Sequence, residues 1–308
     1  NSGTEATLSA LRLARAYTNR DKIIKMIGGY HGHHDALLAQ AGSGIATLAI
    51  PSTPGVPASV VQDTILVPYN DEEAVRQAFE QFPGQIAAVI VEPVAGNMGC
   101  IPPKEGYLEA LRVITTNHDA LLIFDEVMSG FRVAKGGAQE LYGVLPDLTT
   151  LGKIIGGGMP IGAYGGLKEI MRLIAPEGNV YQAGTLAGNP LAMAAGIATL
   201  SVLERPETYR VLEARASRFA AGLSDAAKAA HFPLVVTRLG SVLGIFFASA
   251  VPATLDEVKR TRGDLYPAFF AAMVEEGHAF APSAFEALFV SIAHDEAIID
   301  ETLIAAER

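Results

Sequence analysis

Cysteine is almost absent from this chain: Cys100 is the only one in 308 residues, so no disulfide can form within it. A protein without disulfides suits a reducing compartment, and we expect a cytoplasmic protein, or one of the plastid stroma if the source is a plant or alga. No apolar run reaches the roughly 18 residues that a membrane helix needs. The nearest stretch, LAMAAGIATLSVL, is shorter and rich in alanine, so we expect no membrane contact.

Positive charge is also scarce. Lys and Arg number 23 against 33 Asp and Glu, which gives a net charge of −10, and the basic residues form no cluster. This balance argues against a nucleic-acid-binding protein. A start methionine is missing as well: the chain opens directly on a helix pattern, and we expect that an N-terminal region of the protein precedes residue 1.

Apolar strands and helices alternate over the first two thirds of the chain. The segments DKIIKMIG, IAAVIVEP and ALLIFDEV are nearly continuous apolar runs, separated by helix patterns such as DEEAVRQAFEQF and EGYLEALRVITTNH. Such runs predict an α/β fold with a mostly parallel central sheet and helices on both faces. Residues 42–57, rich in Gly, Pro, Ser and Thr, predict a long surface loop.

The pattern changes near residue 205. A long helix pattern is followed by the strand patterns PLVVTRLG, VLGIFFAS and LFVSIAH, and then by a closing acidic helix. We therefore predict a large domain over residues 1–205 and a smaller C-terminal α+β domain over residues 206–308.

The first candidate site is the helix start at Ser2, Gly3 and Thr4. Ser2 followed by Glu5 three residues later is a capping box. The free N–H groups of a helix start, together with two hydroxyls, also suit a phosphate group. The residues alone leave both interpretations open.

A second candidate is the carboxylate that ends the strand LLIFD. Asp125 emerges at the edge where open α/β sheets bind their ligands, and strand alternation points Val127 in the same direction. One residue could contact the polar edge of a ring and the other its face. An acidic residue at a strand end can also simply cap the next turn.

The third candidate is Lys153, followed by IIGGGMPIGA, which offers almost no polar group. A lysine that is partly removed from water has a lowered pKa and becomes a nucleophilic amine. The alternative is a side chain that reaches back to water. A nucleotide-binding P-loop does not fit, because the upstream glycine spacing and a following Ser or Thr are missing.

The fourth candidate is the segment GGYHGHHDA, in which Tyr30 could stack on a planar ligand. Its three histidines raise the question of a metal. Zinc sites draw ligands from more than one segment, and no second His/Cys cluster occurs, so we expect no metal.

Together the four candidates match the needs of pyridoxal 5'-phosphate: an anchored phosphate, an enclosed ring, a protonated ring nitrogen and an amine for the aldehyde. The chain resembles the class III aminotransferase group of fold-type I pyridoxal-phosphate enzymes from residue 1 to near residue 308. The stretches that carry the resemblance include NSGTEAT, YHGH, LLIFDEVMSGFRVAKGGAQ, PDLTTLGKIIGGGMPIGAYGG and YQAGTLAGNPLAMAAG. The stretches AGSG…PSTPGVP and VIVEPVAGNMGCIPP resemble the branch that moves an amino group within one molecule, an isomerase reaction.

The resemblance implies a role for each matching residue. Lys153 would form the imine with the cofactor and move protons, Asp125 would pair with the ring nitrogen, and Tyr30 and Val127 would pack on the ring. The other implied cofactor-binding residues are Ser2, Gly3 and Thr4 at the phosphate, Glu92 and Asn97 near the phenolic oxygen, and Gly184 and Thr185 at the phosphate of the neighbouring subunit.

The resemblance also implies partners and substrate contacts. A phosphate contact by Thr185 across subunits implies a homodimer. Ser43 falls on a mobile gating loop and Glu286 on a substrate-side carboxylate. The implied cofactors are pyridoxal 5'-phosphate and pyridoxamine 5'-phosphate (PMP), and the implied partner is a small-molecule substrate.

Two other functions remain open at this point. The first is a pyridoxal-phosphate aminotransferase with a separate amino donor and acceptor, since Lys153, Asp125 and the phosphate residues serve both reactions. The second is a nucleotide-binding or purely structural α/β protein. The sequence departs from the family pattern at His34 and Leu288, neither of which carries chemistry.

Overall fold

The computed structural model describes residues 1–40, 47, 48 and 50–308, with only the backbone described at 47, 48, 50 and 51. Ser43 lies outside the described residues. The strands are β1 Lys22–Ile27, β2 Ala39–Gln40, β3 Thr47–Leu48, β4 Ile50–Pro51, β5 Thr64–Pro68, β6 Ile86–Val91, β7 Leu121–Asp125, β8 Leu148–Leu151, β9 Ala163–Gly166, β10 Val235–Leu239, β11 Val242–Phe246 and β12 Leu288–Phe289.

The α-helices follow the same order along the chain. They are α1 Gly3–Thr18, α2 Ala58–Val61, α3 Glu72–Gln81, α4 Tyr107–Asn117, α5 Gly137–Tyr142, α6 Lys168–Met171, α7 Pro190–Leu203, α8 Pro206–Ala229, α9 Leu255–Lys259, α10 Tyr266–Glu275 and α11 Glu296–Glu307. Short 3-10 helices cover Asp35–Leu37, Lys153–Gly156 and Gly263–Leu265.

The central sheet has seven strands in the order β3-β5-β1-β6-β7-β8-β9. The pairs between β5 and β8 are parallel, and the edge strands β3 and β9 run antiparallel to their neighbours. Apolar side chains leave both faces of the sheet. On one face Ile23 and Ile123 pack on Leu11 and Ala14 of α1.

On the other face of the sheet Ile24 and Leu122 pack on Phe79 of α3 and Leu111 of α4. Burial of this apolar surface on both sides explains why the strands read as continuous apolar runs. The predicted α/β fold, with a mostly parallel sheet covered by helices on both faces, is confirmed.

The loop predicted over residues 42–57 contains regular structure. The backbone of 47–48 pairs with β5, and that of 50–51 pairs with β2. Gly and Pro signalled turns correctly, but the short strands depend on hydrogen bonds to segments elsewhere in the chain. Conversely, the pattern LFVSIAH forms only the two-residue strand β12.

The C-terminal part contains an antiparallel sheet of three strands in the order β10-β11-β12. Its own apolar cluster joins Leu243 and Ile245 of the sheet to Phe219 of α8 and Ile299 of α11. The division into domains at residues 205 and 206 stays a prediction. Among the described residues, no helix is both long and apolar enough to cross a membrane.

Candidate active site

A cavity of about 330 Å³ opens at the ends of β6, β7 and β8, and we call it the strand-end cavity. Its lining includes nine residues that the sequence singled out: Ser2, Gly3, Thr4, Tyr30, Glu92, Asn97, Asp125, Val127 and Lys153. Parallel strands place their carboxyl ends at one edge of the sheet, which explains how segments far apart in the chain meet here.

The N-terminus of α1 forms one wall of the cavity. The Ser2 hydroxyl accepts the Glu5 N–H at 3.3 Å, so the predicted N-cap is confirmed. Gly3 lies in close contact with Val127, since a Cβ on Gly3 would lie only 2.9 Å from Val127 Cγ1. The Thr4 hydroxyl accepts the His33 N–H at 3.2 Å, which ties the helix start to the loop after β1. The positive end of the helix dipole therefore faces the cavity.

Asp125 is buried at the end of β7 and accepts three hydrogen bonds. Its Oδ1 accepts the Val127 N–H at 3.1 Å and the Thr150 hydroxyl at 3.0 Å, and Oδ2 lies 2.7 Å from Nδ1 of His31. Three donors around one carboxylate fix its orientation.

Lys153 lies two residues beyond β8 and has a left-handed backbone, with φ of 46°. A residue with a side chain rarely adopts this conformation, and strain of this kind is concentrated at functional sites. The residue is exposed to the cavity, so the expectation that apolar neighbours shield its amine is wrong. Ile155, its apolar neighbour in sequence, is buried in the interior instead.

Glu92 is buried beside the cavity and organises its third side. Its two oxygens accept the N–H groups of Tyr30 at 2.7 Å and Gly96 at 2.9 Å, and both contact the side-chain amide of Asn97. Burial raises the pKa of Glu92, and the charge of Asp125 adds to this rise, whereas the N–H donors of Gly96 and Tyr30 oppose it. Tyr30 itself is 48% exposed, with its ring on the cavity.

Three further predicted residues do not line the strand-end cavity. Gly184 borders a second cavity of about 290 Å³, which shares only Asn1 with the first. Thr185 is exposed on the surface nearby. Glu286 is exposed in the segment before β12. The position of Ser43 is not described.

Sequence reasoning missed His31, which touches Asp125 directly. In the sequence, His31 stands out only as a candidate metal ligand, because its actual partner, Asp125, lies 94 residues away. Among the described residues, no group of three or more His, Cys, Asp or Glu could hold a metal ion.

Glu126, next to Asp125, has a different role. It is buried and accepts the Ala138 N–H at 2.7 Å and the Ser129 hydroxyl at 2.9 Å. Its carboxylate also accepts the backbone and side-chain N–H groups of Gln139. Glu126 therefore secures the start of α5, and only Asp125 of the pair faces the cavity.

Comparison with known proteins agrees with this geometry. The family model described as aminotransferase class-III matches residues 1–300. A protein of Geobacillus kaustophilus named glutamate-1-semialdehyde 2,1-aminomutase 2 is 58% identical over 308 residues, covering 100% of this chain and 72% of its own length. One of the same name from Brevibacillus brevis is 56% identical over 306 residues, covering 99% of this chain and 71% of its own length.

Solved structures give the same result. A glutamate-1-semialdehyde aminomutase from Pseudomonas aeruginosa in complex with PMP has a TM-score of 0.87 at 28% identity, covering 99% of this chain and 69% of that one. A β-phenylalanine aminotransferase from Variovorax paradoxus has a TM-score of 0.88 at 35% identity, covering 100% and 68%. On its sequence, its fold and its family match, this chain belongs to the class III aminotransferases.

Proposed function

We propose that this protein is a glutamate-1-semialdehyde 2,1-aminomutase, an isomerase that uses pyridoxal and pyridoxamine phosphate. It would move the amino group of glutamate-1-semialdehyde within the molecule to give 5-aminolevulinate, the precursor of porphyrins and other tetrapyrroles. The observation that carries the proposal is the strand-end cavity, which joins Lys153, Asp125 and the α1 terminus. The relatives of that name, 56–58% identical over nearly the whole chain, support the choice of substrate.

The residues of the cavity fit this cofactor by their chemistry. A helix N-terminus with the hydroxyls of Ser2 and Thr4 suits a phosphate dianion. The oriented carboxylate of Asp125 suits a protonated ring nitrogen, and the amine of Lys153 suits the aldehyde carbon. The contact between Gly3 and Val127 places the helix start, where the phosphate would bind, next to the side chain on which the cofactor ring would pack.

The bound cofactor would supply an electron sink that acidifies the substrate C–H beside the amino group. The protein would supply position, charge and proton transfer. Asp125 would hold the proton on the ring nitrogen, and Tyr30 and Val127 would orient the ring. Glu92 and Asn97 would organise the side of the phenolic oxygen. Lys153, on a strained backbone at the cavity, would move the proton between the two substrate carbons through its Nζ.

We also propose a homodimer in which Gly184 and Thr185 complete the phosphate site of the partner. An apolar surface supports this: Tyr181, Leu186, Leu191 and Ile197 are each 66–73% exposed. Helix α7 is apolar around its circumference, yet only Ala192, Gly196 and Leu203 are buried in one chain. Large exposed apolar patches mark interaction sites, and a second copy would cover this one.

Two substrate-side roles are part of the proposal. Ser43 would lie on a loop that closes the site and retains the reaction intermediate. Glu286, exposed in the segment before β12, would meet the substrate from the C-terminal part. The single cysteine of the chain and its bacterial relatives support the further proposal of a cytoplasmic protein.

One experiment separates the mutase from an aminotransferase with separate donor and acceptor, the activity named for the β-phenylalanine aminotransferase above. The protein, loaded with pyridoxamine phosphate, is given glutamate-1-semialdehyde and no other amine or keto acid. The mutase forms 5-aminolevulinate over many turnovers. An aminotransferase stops after one half-reaction, and that result would overturn the proposed function.

A further inference from the structure

His31 is the one histidine of the YHGHHDA segment whose ring contacts Asp125. The residue is 1% exposed, and its Nδ1 lies 2.7 Å from Oδ2 of Asp125. Its backbone carbonyl accepts the Thr7 hydroxyl at 2.7 Å, so helix α1 fixes the loop that carries it. Both partners of this contact are therefore held by buried structure.

The second ring nitrogen, Nε2, is buried without a hydrogen-bond partner in the part of the chain that the structure describes. It faces the space beside Gly29, where a Cβ would lie 3.2 Å from Nε2 and 3.6 Å from Oε1 of Glu92. Glu92 does not serve as its partner, because its oxygens accept the N–H groups of Tyr30, Gly96 and Asn97. None of the residues that the structure describes accepts a hydrogen bond from Nε2.

These contacts determine where the proton of the ring lies. An ionised carboxylate can only accept, so the proton of the contact belongs to Nδ1 of His31. A buried N–H group without an acceptor is rarer and costlier than an unpaired lone pair, so Nε2 carries no proton. His31 then donates a hydrogen bond to Asp125 without bringing a positive charge.

We propose that His31 is a positioning residue that fixes Asp125 as a charged acceptor while remaining neutral itself. The negative charge of Asp125 is then left for the ring nitrogen of the cofactor, whereas an imidazolium at His31 would neutralise it. This inference rests on the proposed function, because it needs a cationic ring nitrogen beside Asp125. His31 acts through Asp125 and touches no reacting atom.

The first test needs no cofactor and no activity. Nitrogen NMR of the histidine-labelled full chain, with the His31 signals assigned from His31→Asn, reports which ring nitrogen carries the proton. We expect a protonated Nδ1 and a bare Nε2 near neutral pH. A proton on Nε2, in either the other tautomer or the imidazolium, would overturn the inference.

The second test measures the dissociation constant of pyridoxal phosphate by titration of its absorbance. We expect His31→Leu to weaken binding about tenfold or more, as for the loss of a hydrogen bond to a charged group. His31→Asn keeps an amide donor near the position of Nδ1 and should bind within about threefold of wild type. Thr150→Val, which removes a neutral donor from the other Asp125 oxygen, is the matched control and should have a smaller effect than His31→Leu.

The outcomes separate the two proposals. If the wild-type protein takes up no pyridoxal phosphate, the proposed function fails. If wild type and His31→Leu bind it equally well, or His31→Asn binds as weakly as His31→Leu, only the role of His31 fails. Thermal unfolding is measured for each variant, and the NMR result decides alone where a variant does not fold.

Discussion

Asp125 and Thr150 face each other across the parallel strands β7 and β8, and the Thr150 hydroxyl donates to Oδ1 of Asp125 at 3.0 Å. Lys153 follows Thr150 by three residues, so the same pair of strands delivers both the carboxylate and the amine to one cavity. The constellation is thus a product of sheet register. A slip of one residue between the two strands would turn these side chains to opposite faces.

Replacing the amine tests its proposed covalent role. Lys153→Ala should lose the absorbance band near the visible edge that an imine between the lysine and the cofactor would give. The rate of amino transfer should fall about 10²–10⁴-fold because the proton carrier is gone. Absorbance spectra and single-turnover rates measure both effects. Lys168→Ala, an exposed lysine outside the cavity lining, is the control and should behave as wild type. An unchanged spectrum in Lys153→Ala would contradict the proposal that Lys153 forms the imine with the cofactor.

Removing the charge of Asp125 without changing its shape tests its proposed pairing. Asp125→Asn should weaken binding of pyridoxal phosphate by about 10–100-fold, since a hydrogen bond to a charged group is lost. Titration of the cofactor into the variant gives the dissociation constant. Asp21→Asn, an exposed position at the start of β1, should leave the constant unchanged. Equal constants for both variants would contradict the assignment.

The neighbouring carboxylate should affect folding. Glu126→Ala leaves the buried donors of Ser129, Ala138 and Gln139 without an acceptor. We expect the free energy of unfolding to fall by about 2–4 kcal/mol, measured by urea denaturation. Glu140→Ala removes an exposed carboxylate from the same helix and should cost less. A stable Glu126→Ala protein would show that α5 is held by other contacts.

Exposed apolar residues of α7 should control assembly. Leu191→Glu combined with Ile197→Glu puts two charges into the face proposed to bind a second copy, and the protein should become monomeric in light scattering. Val113→Glu changes an exposed apolar residue of α4 and should leave the mass unchanged. A dimer that survives the double change must use a different surface.

The buried Lys25 should make the free energy of unfolding depend on pH. Burial lowers the pKa of Lys25 from 10.5 to about 8 in the folded protein, opposed in part by Glu92, while its ammonium donates to the Leu37 carbonyl at 2.8 Å. Between these two values the unfolded chain binds more protons than the folded one, so stability increases with pH. Below pH 8 burial of the charged Lys25 lowers the stability of the folded protein by its full amount, and above pH 10.5 this loss of stability is absent.

Comparison with Lys25→Met isolates this effect from other groups that titrate at high pH. Relative to the variant, wild type should gain about 3 kcal/mol of unfolding free energy between pH 8 and 10.5, as an order of magnitude. Urea denaturation at several pH values measures the difference. A difference between the two proteins that does not change with pH would show that Lys25 titrates normally.

Local patterns predicted much of the fold because their causes are local. The Ser2 cap, the helix α3 and the apolar strand β6 each depend on residues within a few positions, and all three occur as their patterns indicate. The exposure of Lys153 was not predictable in this way. Its apolar neighbours in sequence suggested shielding, whereas the chain turns Ile155 inward and leaves the lysine on an open cavity.

The order of residues in this chain was sufficient to identify the main helices and strands of the central sheet, the family and nine of the residues that meet at the strand-end cavity. Only the tertiary structure separated the roles of Asp125 and Glu126 and paired His31 with Asp125. It also showed which side of α7 stays uncovered. Capping and apolar periodicity act between near neighbours, whereas a hydrogen bond across 94 residues exists only after the sheet has brought its strands together.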